Sequence, residues 1–397
     1  MNLNPSKDEL TVRIATLFRR LTQSGRRFDT AIIMDKINQY YFTGTMQDGL
    51  LILRNNGTAA YCVRRSFERA RLESPLDCLF RISTYRDLLA YLPPNLGSTW
   101  LEMDAMPLSM LERLKKYFTF EEIQPIDRLI QDIRSVKSAY ELVLIAESGR
   151  QNQILLAEIV PQILREGISE AEFQAELYSR MVKLGHHGVT RFNMLQMEVV
   201  VGQLGFGANS VYPTSFNGPG GMMGLSAAVP AIGNRERCLK KGDLVFVDVG
   251  YGFHGYHSDK TQVYSFGSEP SPEAAGIHQA CWDLLNGLVS QMKPGAAPAA
   301  IYKTAMASLP ASLGRNFMGA GEERVQFLGH GVGLYIDEMP VIARGFNDPL
   351  QANMVIALEP KCAIPGAGTV GVEETYLLTA EGPVCLTGGP GEIIVVS

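Results

Sequence analysis

Four acidic residues and one histidine in the C-terminal half of the chain each stand in, or at the end of, a strand-like apolar run. These residues are Asp248, Asp259, His330, Glu359 and Glu373. An ionised carboxylate buried among Val, Ile and Phe costs several kcal/mol unless it is paired or coordinates a cation. Repeated burial of acids therefore calls for positive charge, and the sequence predicts a metal site.

The segments around these residues predict two hairpins. Residues 244–247 form a β-branched and aromatic run that ends at Asp248, and residues 260–266 alternate with period two after Asp259. In the same way, residues 354–358 lead into Glu359 and residues 370–378 return past Glu373. Glycines on both sides of His330 allow close backbone approach and leave its ring as the only functional group. We expect the two hairpins to bring the acids to His330.

The ligand types indicate which metals could bind. An isolated Asp at the end of a strand is more often a turn former or a helix cap than a ligand, but the five residues in combination favour a metal site. Carboxylate oxygens and one imidazole are suitable ligands for Mn, Fe, Co or Zn in a carboxylate-bridged pair. A structural zinc site would instead be rich in cysteine thiolates. Two ions that share acids would activate a bridging water and polarise a carbonyl together. The sequence predicts two divalent metal ions.

The order and spacing of these motifs resemble the pita-bread metallopeptidase family. The matching segments are residues 248–250, 255–261, 330–334, 358–361 and 372–375. That family includes Xaa-Pro aminopeptidases, prolidases and methionine aminopeptidases, together with non-peptidase creatinases and a dimethylsulfoniopropionate lyase. Residues 38–44, 48–52 and 64–70 are similar to the N-terminal domain of the prolidase and creatinase branch, and residues 133–138 to the segment that opens its catalytic domain. Nearly the whole chain is covered.

The resemblance implies a role for each candidate ligand. Asp259 and Glu373 would bridge two metals, Asp248 would complete one site, and His330 and Glu359 would complete the other. A metal-bridging hydroxide would be the nucleophile, and Glu359 would accept a proton from that water. The resemblance also implies a homodimer in which the N-terminal domain of one subunit narrows the cleft of the other.

Three positions depart from the peptidase pattern. Ala231 stands where the peptidases carry a histidine that contacts substrate and shuttles protons. Asp337 replaces a second histidine, and it cannot donate a proton as an imidazolium does. Gly371 replaces an arginine that often lies two residues before the last bridging glutamate. The metal ligands are kept, whereas the groups expected to bind a peptide have changed.

Two enzymatic interpretations and one non-enzymatic interpretation follow. A divergent Xaa-Pro peptidase could transfer protons through His254, Tyr212, Tyr256 or above all His257, which lies two residues before Asp259 and so shares its face of an extended strand. Glu359, His257 and Asp337 are therefore the candidate catalytic residues. Alternatively, the ligands serve a lyase of a small sulfonium or zwitterionic substrate or a creatinase-like amidinohydrolase, since fold similarity permits such changes. The third interpretation is a binding protein that has kept metal.

Length and composition predict two ordinary globular domains. The 397 residues exceed what one core usually holds, and 46% of them are hydrophobic. A small α/β domain is expected over residues 1–132, followed over 133–397 by an α+β pita-bread domain with a curved antiparallel sheet under helices. The net charge is −5 and the chain has no basic tract that could attract phosphate groups, so we expect no nucleic-acid binding.

The predicted location is the cytoplasm. The chain has no run of eighteen apolar residues and no signal-peptide core at its N-terminus, so we expect no membrane association. The six cysteines lack Cys-x-x-Cys spacing, which argues against both thiolate metal binding and a disulfide framework. A peptide or another small molecule is the expected binding partner.

Overall fold

Residues 3–194 and 199–397 are described by a computed structural model of the chain. The chain divides into two units, Met1–Arg134 and Ser135–Ser397. The sequence analysis placed this boundary slightly earlier, after residue 132. None of the described helices is long and apolar enough to span a membrane.

The first unit is built on one mixed six-stranded sheet. Its strands are β1 (Thr30–Ile33), β2 (Asp48–Arg54), β3 (Ala59–Arg65), β4 (Leu79–Arg81), β5 (Ser98–Leu101) and β6 (Glu122–Pro125). Its helices are α1 (Lys7–Gln23), α2 (Lys36–Thr43), α3 (Phe67–Glu73), α4 (Leu108–Leu114) and α5 (Asp127–Ser135). The strands lie in the order β4-β3-β2-β1-β5-β6, with β1 parallel to β5 and antiparallel to β2.

The second unit contains five further α-helices among the described residues. They are α6 (Ala139–Ile154), α7 (Val160–Ile163), α8 (Glu170–Lys183), α9 (Pro272–Gln291) and α10 (Pro298–Ala307). Serine caps fix where three of them begin: Ser138 and Ser169 form capping boxes with Glu141 and Glu172, and the Ser271 hydroxyl accepts a hydrogen bond from the Ala274 amide. These caps satisfy amide groups that have no partner within the first turn.

The strands of the second unit form two larger, mainly antiparallel sheets and further two-stranded sheets. They are β7 (Gly202–Phe206), β8 (Leu244–Phe253), β9 (Tyr256–Phe266), β10 (Gly319–Ala320), β11 (Glu323–Arg324), β12 (Phe327–Gly331), β13 (Glu338–Ala343), β14 (Val355–Leu358), β15 (Lys361–Ile364), β16 (Gly368–Gly371), β17 (Glu374–Leu378), β18 (Pro383–Cys385) and β19 (Ile394–Val396). One larger sheet has the order β19-β9-β8-β7, with β19 parallel to β9, and the other has the order β13-β12-β14-β17-β18. A bridge between Thr261 and Glu373 joins these two sheets. The two-stranded sheets are β10–β11 and β15–β16.

Apolar helix faces pack on both sheets. Side chains of α8, such as Phe173 and Leu177, share a core with Leu204 and Val247 of the first sheet. Helices α9 and α10 pack in the same way against Leu328 and its neighbours in the second sheet. Separate helices and antiparallel strands give this unit an α+β layout.

The second predicted hairpin needs one correction. Strands β14 and β17 do pair, with Val355 opposite Leu377, but residues 361–371 between them form a hairpin of their own, β15–β16. Pro360 cannot donate a ladder hydrogen bond, and Gly371 has a φ of 136°, and the strand pairs on the two sides of these residues belong to separate sheets. This inner hairpin brings Lys361 next to the acids.

Candidate metal centre

The β8–β9 hairpin positions the first two acids. Asp248 lies opposite Thr261, and Asp259 lies opposite Gly250, so the two carboxylates are diagonal neighbours on one face of the pair. The Thr261 hydroxyl lies 2.9 Å from Asp248 Oδ1 and 3.1 Å from Glu373 Oε2. This hydroxyl links the first sheet to the segment that carries Glu373.

The second sheet supplies the histidine and the two glutamates. In the β12–β14 pair His330 lies opposite Ala357, so His330 and Glu359, two positions further along, are diagonal neighbours on one face. His330 Nε2 lies 3.4 Å from Glu359 Oε1, 3.6 Å from Glu373 Oε1 and 3.9 Å from Asp259 Oδ2. His330 Nδ1 lies 3.1 Å from the Gly331 carbonyl and donates to it, which leaves the Nε2 lone pair for a metal.

Asp259, His330 and Glu373 form a group suited to a divalent ion. One ligand atom from each lies within 4.8 Å of the others. Glu373 Oε1 is buried and faces His330 Nε2 at 3.6 Å, a distance too long for a full hydrogen bond, so this oxygen is under-satisfied. Asp259 and His330 keep 14% and 12% of their side-chain surface exposed. Two carboxylates and one imidazole with a free side are the donor set of an open, catalytic type of site.

Lys361 lies among the remaining acids. Its Nζ is 2.9 Å from Asp248 Oδ2, 2.9 Å from Glu359 Oε2 and 2.7 Å from Glu373 Oε2. Only 1% of the lysine side chain is exposed. An ammonium has three donors, and each of them reaches a different carboxylate here. Burial opposes the charged ammonium, but the carboxylates outweigh it and hold the pKa of Lys361 well above its usual range.

The centre as a whole has too little positive charge of its own. Burial raises the pKa of Asp248 to about 8 although Lys361 opposes the rise. Burial and repulsion from Glu373 raise the pKa of Asp259 well above its usual range. Burial opposes protonation of His330, yet the surrounding carboxylates raise its pKa to about 10. Burial raises the pKa of both aspartates, and the neighbouring carboxylates add to the rise and also hold the proton on His330. A divalent ion would relieve the repulsion among these acids.

A buried ion pair supports Asp259 and Glu373. Lys260 follows Asp259 in the chain, Glu374 follows Glu373, and the Lys260 ammonium donates to Glu374 Oε1. Since successive side chains of a strand point to opposite faces, this pair lies behind the ligands. Thr375 adds to the support, because its hydroxyl accepts from the Asp259 amide at 2.8 Å and lies 2.8 Å from the Asp259 carbonyl.

His257 does not have the free ring nitrogen that the sequence analysis expected. Its Nδ1 lies 3.0 Å from the Gly333 carbonyl, and its Nε2 accepts from the Arg191 amide at 3.3 Å. The residue is fully buried, and burial lowers its pKa to about 4. Because both ring nitrogens bond backbone groups, this geometry favours a structural role for His257, and its acid–base role stays a prediction.

The other predicted proton-transfer residues also differ in their surroundings. Asp337 Oδ1 accepts from the Asn193 amide at 2.9 Å, and burial raises the Asp337 pKa while His330 opposes the rise. Tyr256 is fully buried. By contrast, 46% of Tyr212 is exposed, and His254 is exposed in the β8–β9 turn with a φ of 46°. Among these residues, Asp337 is the one whose pKa is affected by the charge of His330.

Two residues near the acids were not singled out from the sequence. Lys361 is part of a matching motif, but its charge was not assigned a role. Gln203 lies opposite Asp248 in the β7–β8 pair and is only 7% exposed, and neither of its amide atoms has a hydrogen-bond partner among the described residues. The signal for Lys361 was available, since a lysine two residues after a buried glutamate needs a partner. Nothing in the sequence marked Gln203.

The local structure explains why position 371 is a glycine. It lies opposite Lys361 in the β15–β16 pair. A Cβ at position 371 would lie 2.5 Å from Lys361 Cα, and the φ of 136° is itself unfavourable for a residue with a side chain. Position 371 thus cannot hold the arginine that the resemblance leads one to expect.

Comparison with known families covers both units. The family model described as metallopeptidase family M24 matches residues 143–380. The model described as the creatinase/prolidase N-terminal domain matches residues 13–136. The M24 match alone spans more than half of the chain, and it contains all five predicted ligands.

Curated relatives match over most of the chain. A Xaa-Pro dipeptidase of Pyrococcus horikoshii is 25% identical over 374 residues, which is 92% of this chain and 94% of that protein. A Xaa-Pro dipeptidase of Pyrococcus furiosus is 26% identical over 369 residues, covering 92% of this chain and 95% of the relative.

Solved structures show the same fold. Dipeptidase PepE from Mycobacterium ulcerans has a TM-score of 0.81 at 24% identity and covers 99% of both chains. The prolidase from Pyrococcus horikoshii has a TM-score of 0.79 at 23% identity, with 96% of this chain and 100% of the other covered. The predicted fold class, a creatinase-like N-terminal domain followed by a pita-bread domain, is confirmed.

Proposed function

Because the chain belongs to metallopeptidase family M24, we propose that it hydrolyses short peptides with proline after the scissile bond. Family membership makes it a metallohydrolase that uses divalent metal. The observation that carries the proposal is the open group of Asp259, His330 and Glu373, which presents three ligand atoms and includes the under-satisfied Glu373 carboxylate. The relatives named Xaa-Pro dipeptidase support the choice of substrate.

Each residue of the centre then has a distinct role. Asp259, His330 and Glu373 would hold the ion, which when bound lowers the pKa of a water molecule and polarises the carbonyl of the substrate. Glu359 would accept the proton of the attacking water, because its Oε1 lies only 3.4 Å from His330 Nε2. Asp248, predicted as a ligand, would instead pair with Lys361.

The sequence analysis predicted two metal ions that share acids. Mn, Fe, Co and Zn all accept two carboxylates and an imidazole, so the choice of metal rests on titration.

Turnover of a substrate panel tests the proposal. Purified protein loaded with Mn, Co, Zn or Fe is incubated with Xaa-Pro dipeptides and with longer Xaa-Pro peptides, and the released amino acid is measured. Metal-dependent release of the residue before proline supports the proposal. If the metal-loaded protein releases no amino acid from any of the peptides, the proposal is contradicted.

A second candidate is a non-peptidase reaction at the same centre. It is favoured by Asp337, whose Oδ1 is already held by the Asn193 amide, and by Ala231, whose methyl group cannot bind a peptide carbonyl. The predicted lyase and creatinase-like activities are tested by adding dimethylsulfoniopropionate and creatine to the panel. Stable metal binding without turnover of any substrate favours the predicted binding protein.

Assembly and location stay predictions of the sequence. A homodimer follows only from the resemblance, and light scattering of the purified protein measures it directly. The cytoplasmic location is open to test by fractionation of cells that express the chain.

A further inference from the structure

Lys361 places a positive charge where the resemblance predicts a second metal ion. We propose that the Lys361 ammonium takes the place of one ion of the predicted pair, so that each chain binds a single divalent ion at Asp259, His330 and Glu373. The inference rests on the metal centre of the proposed function and narrows it from two ions to one.

Lys361 occupies two of the three carboxylates that the resemblance gives to the ion completed by Asp248, namely Asp248 itself and the bridging Glu373, and it also binds Glu359. Its Nζ lies 2.7 to 2.9 Å from one oxygen each of Asp248, Glu359 and Glu373. Metal–oxygen bonds are about 2.0–2.2 Å long, so an ion on the same oxygens would lie close to the ammonium. The site is buried, and water would screen little of the repulsion between the two cations.

Glu373 divides its two oxygens between the two positive charges. Oε2 accepts from Lys361 at 2.7 Å, whereas Oε1 faces His330 Nε2 at 3.6 Å and has no hydrogen-bond partner among the described residues. The glutamate therefore bridges an ammonium and a metal position instead of two metal positions. The group that fits an ion among the described residues includes neither Asp248 nor Glu359.

The position of Lys361 is fixed by the backbone. The residue begins β15, only two positions after Glu359, and pairs with Gly371 across the hairpin. Gly371 brings the two strands so close that a Cβ there would lie 2.5 Å from Lys361 Cα. The lysine stem thus starts from a held backbone, and its ammonium reaches the acids with almost no exposed surface.

Metal stoichiometry tests the proposal without any substrate. Metal-stripped full-length protein is titrated with Mn²⁺ by calorimetry, and the bound metal is counted by mass spectrometry after dialysis. We expect one ion per wild-type chain and the electron paramagnetic resonance signal of an isolated Mn²⁺. Two ions per chain, or the signal of a coupled pair, would overturn the proposal while leaving the proposed hydrolase function intact.

Two lysine variants test whether the Lys361 charge excludes a second ion. Lys361→Ala is expected to bind a second ion, because the three acids lose their cation. Lys137→Ala is the matched control: that lysine is equally buried and pairs with Glu338 at 3.0 Å, outside the acid group, so its stoichiometry should not change. One ion in Lys361→Ala overturns the proposal.

Asp248→Asn keeps the test decisive if Lys361→Ala fails to fold. Asp248 contacts Lys361 but is outside the open group, so the variant should keep its single ion with affinity within about threefold of wild type. Loss of that ion contradicts the proposal. A wild-type chain that binds no ion would overturn the inference and the proposed function together, whereas peptide turnover by a two-ion protein would overturn the inference alone.

Discussion

Lys260 and Glu374 form a buried ion pair directly behind Asp259 and Glu373, the two acids that the resemblance makes the metal bridges. The pair joins β9 to β17, and only 1% and 4% of the two side chains are exposed. It therefore couples the placement of the ligands to the stability of the sheet that carries them.

Lys260→Met should destabilise the protein strongly. The substitution leaves Glu374 charged and buried without its cation, and removing one partner of such a pair costs about 3–5 kcal/mol. Urea unfolding of metal-free protein measures the loss in free energy. The double variant Lys260→Met/Glu374→Leu should recover much of it, since it leaves no unpaired charge. An equally unstable double variant would show that packing, not charge, is responsible.

Asp259→Asn should weaken metal binding more than about 100-fold, beyond the 10–100-fold that supporting residues typically contribute. The carboxylate supplies a ligand oxygen and one negative charge, and the amide supplies neither charge nor equal donor strength. Calorimetric titration with Mn²⁺ provides the measurement. Near-normal affinity in this variant would place the ion elsewhere.

Glu359→Gln should separate proton transfer from metal binding. We expect the metal affinity to stay within about tenfold of wild type, since Glu359 is outside the open group, and kcat to fall by about 10²–10⁴ as for a lost general base. The two readouts are calorimetry and turnover of the best substrate. If metal and activity disappear together, Glu359 is a ligand, as the resemblance implies.

His257→Phe should alter the pH dependence of stability. Burial lowers the folded pKa of His257 from 6.5 to about 4, with Arg191 and His186 acting in the same direction. Below about pH 6.5, His257 binds a proton in the unfolded chain but stays neutral in the folded chain until the pH approaches 4. Protonation of the unfolded chain therefore lowers the free energy of unfolding as the pH falls, by about 3 kcal/mol in total.

The variant lacks this pH-dependent loss, although it also leaves the Arg191 amide and the Gly333 carbonyl without the ring. The stability difference between wild type and variant should therefore be largest near neutral pH and shrink on acidification. Urea unfolding at a series of pH values measures it. A difference that stays constant would mean that His257 titrates normally in the folded protein.

Gln203→Leu should raise stability and weaken substrate binding. Both amide atoms are buried without a partner among the described residues, and removing one such unsatisfied group gains about 1–3 kcal/mol. Because Gln203 lies opposite Asp248, we expect its amide to bond the substrate, so KM should rise with little change in kcat. Thermal unfolding and steady-state kinetics test the two effects. An unchanged KM would leave Gln203 without a role in binding.

The sequence predicted the elements with strong local signals. Apolar residues at helical spacing predict helices near residues 7–24, 170–184 and 272–292, and α1, α8 and α9 match these ranges within one residue. The hairpin with Asp248 and Asp259 was predicted from its alternation and its turn glycines. The pairing of β14 with β17 was also predicted, but the inner β15–β16 hairpin was not, because four-residue strands carry little periodicity.

Interactions between residues far apart in the chain could not be predicted. The two backbone groups that hold His257 come from Arg191 and Gly333, 66 and 76 positions away. The ligand residues were recognised from their motifs, and their roles stay predictions. The charge of Lys361 could not be assigned a role in the same way, because it acts through contacts with acids from separate segments of the chain.

The contact between Gly371 and Lys361 limits the routes by which related chains could exchange one type of centre for another. A single substitution can remove the lysine, yet no side chain can be added at position 371 while the two strands stay at their present separation. Restoring the arginine of the peptidase pattern therefore requires the hairpin backbone to move first. Designers who graft peptidase residues onto this chain one at a time should expect position 371 to fail until residues 360–371 are exchanged as a block.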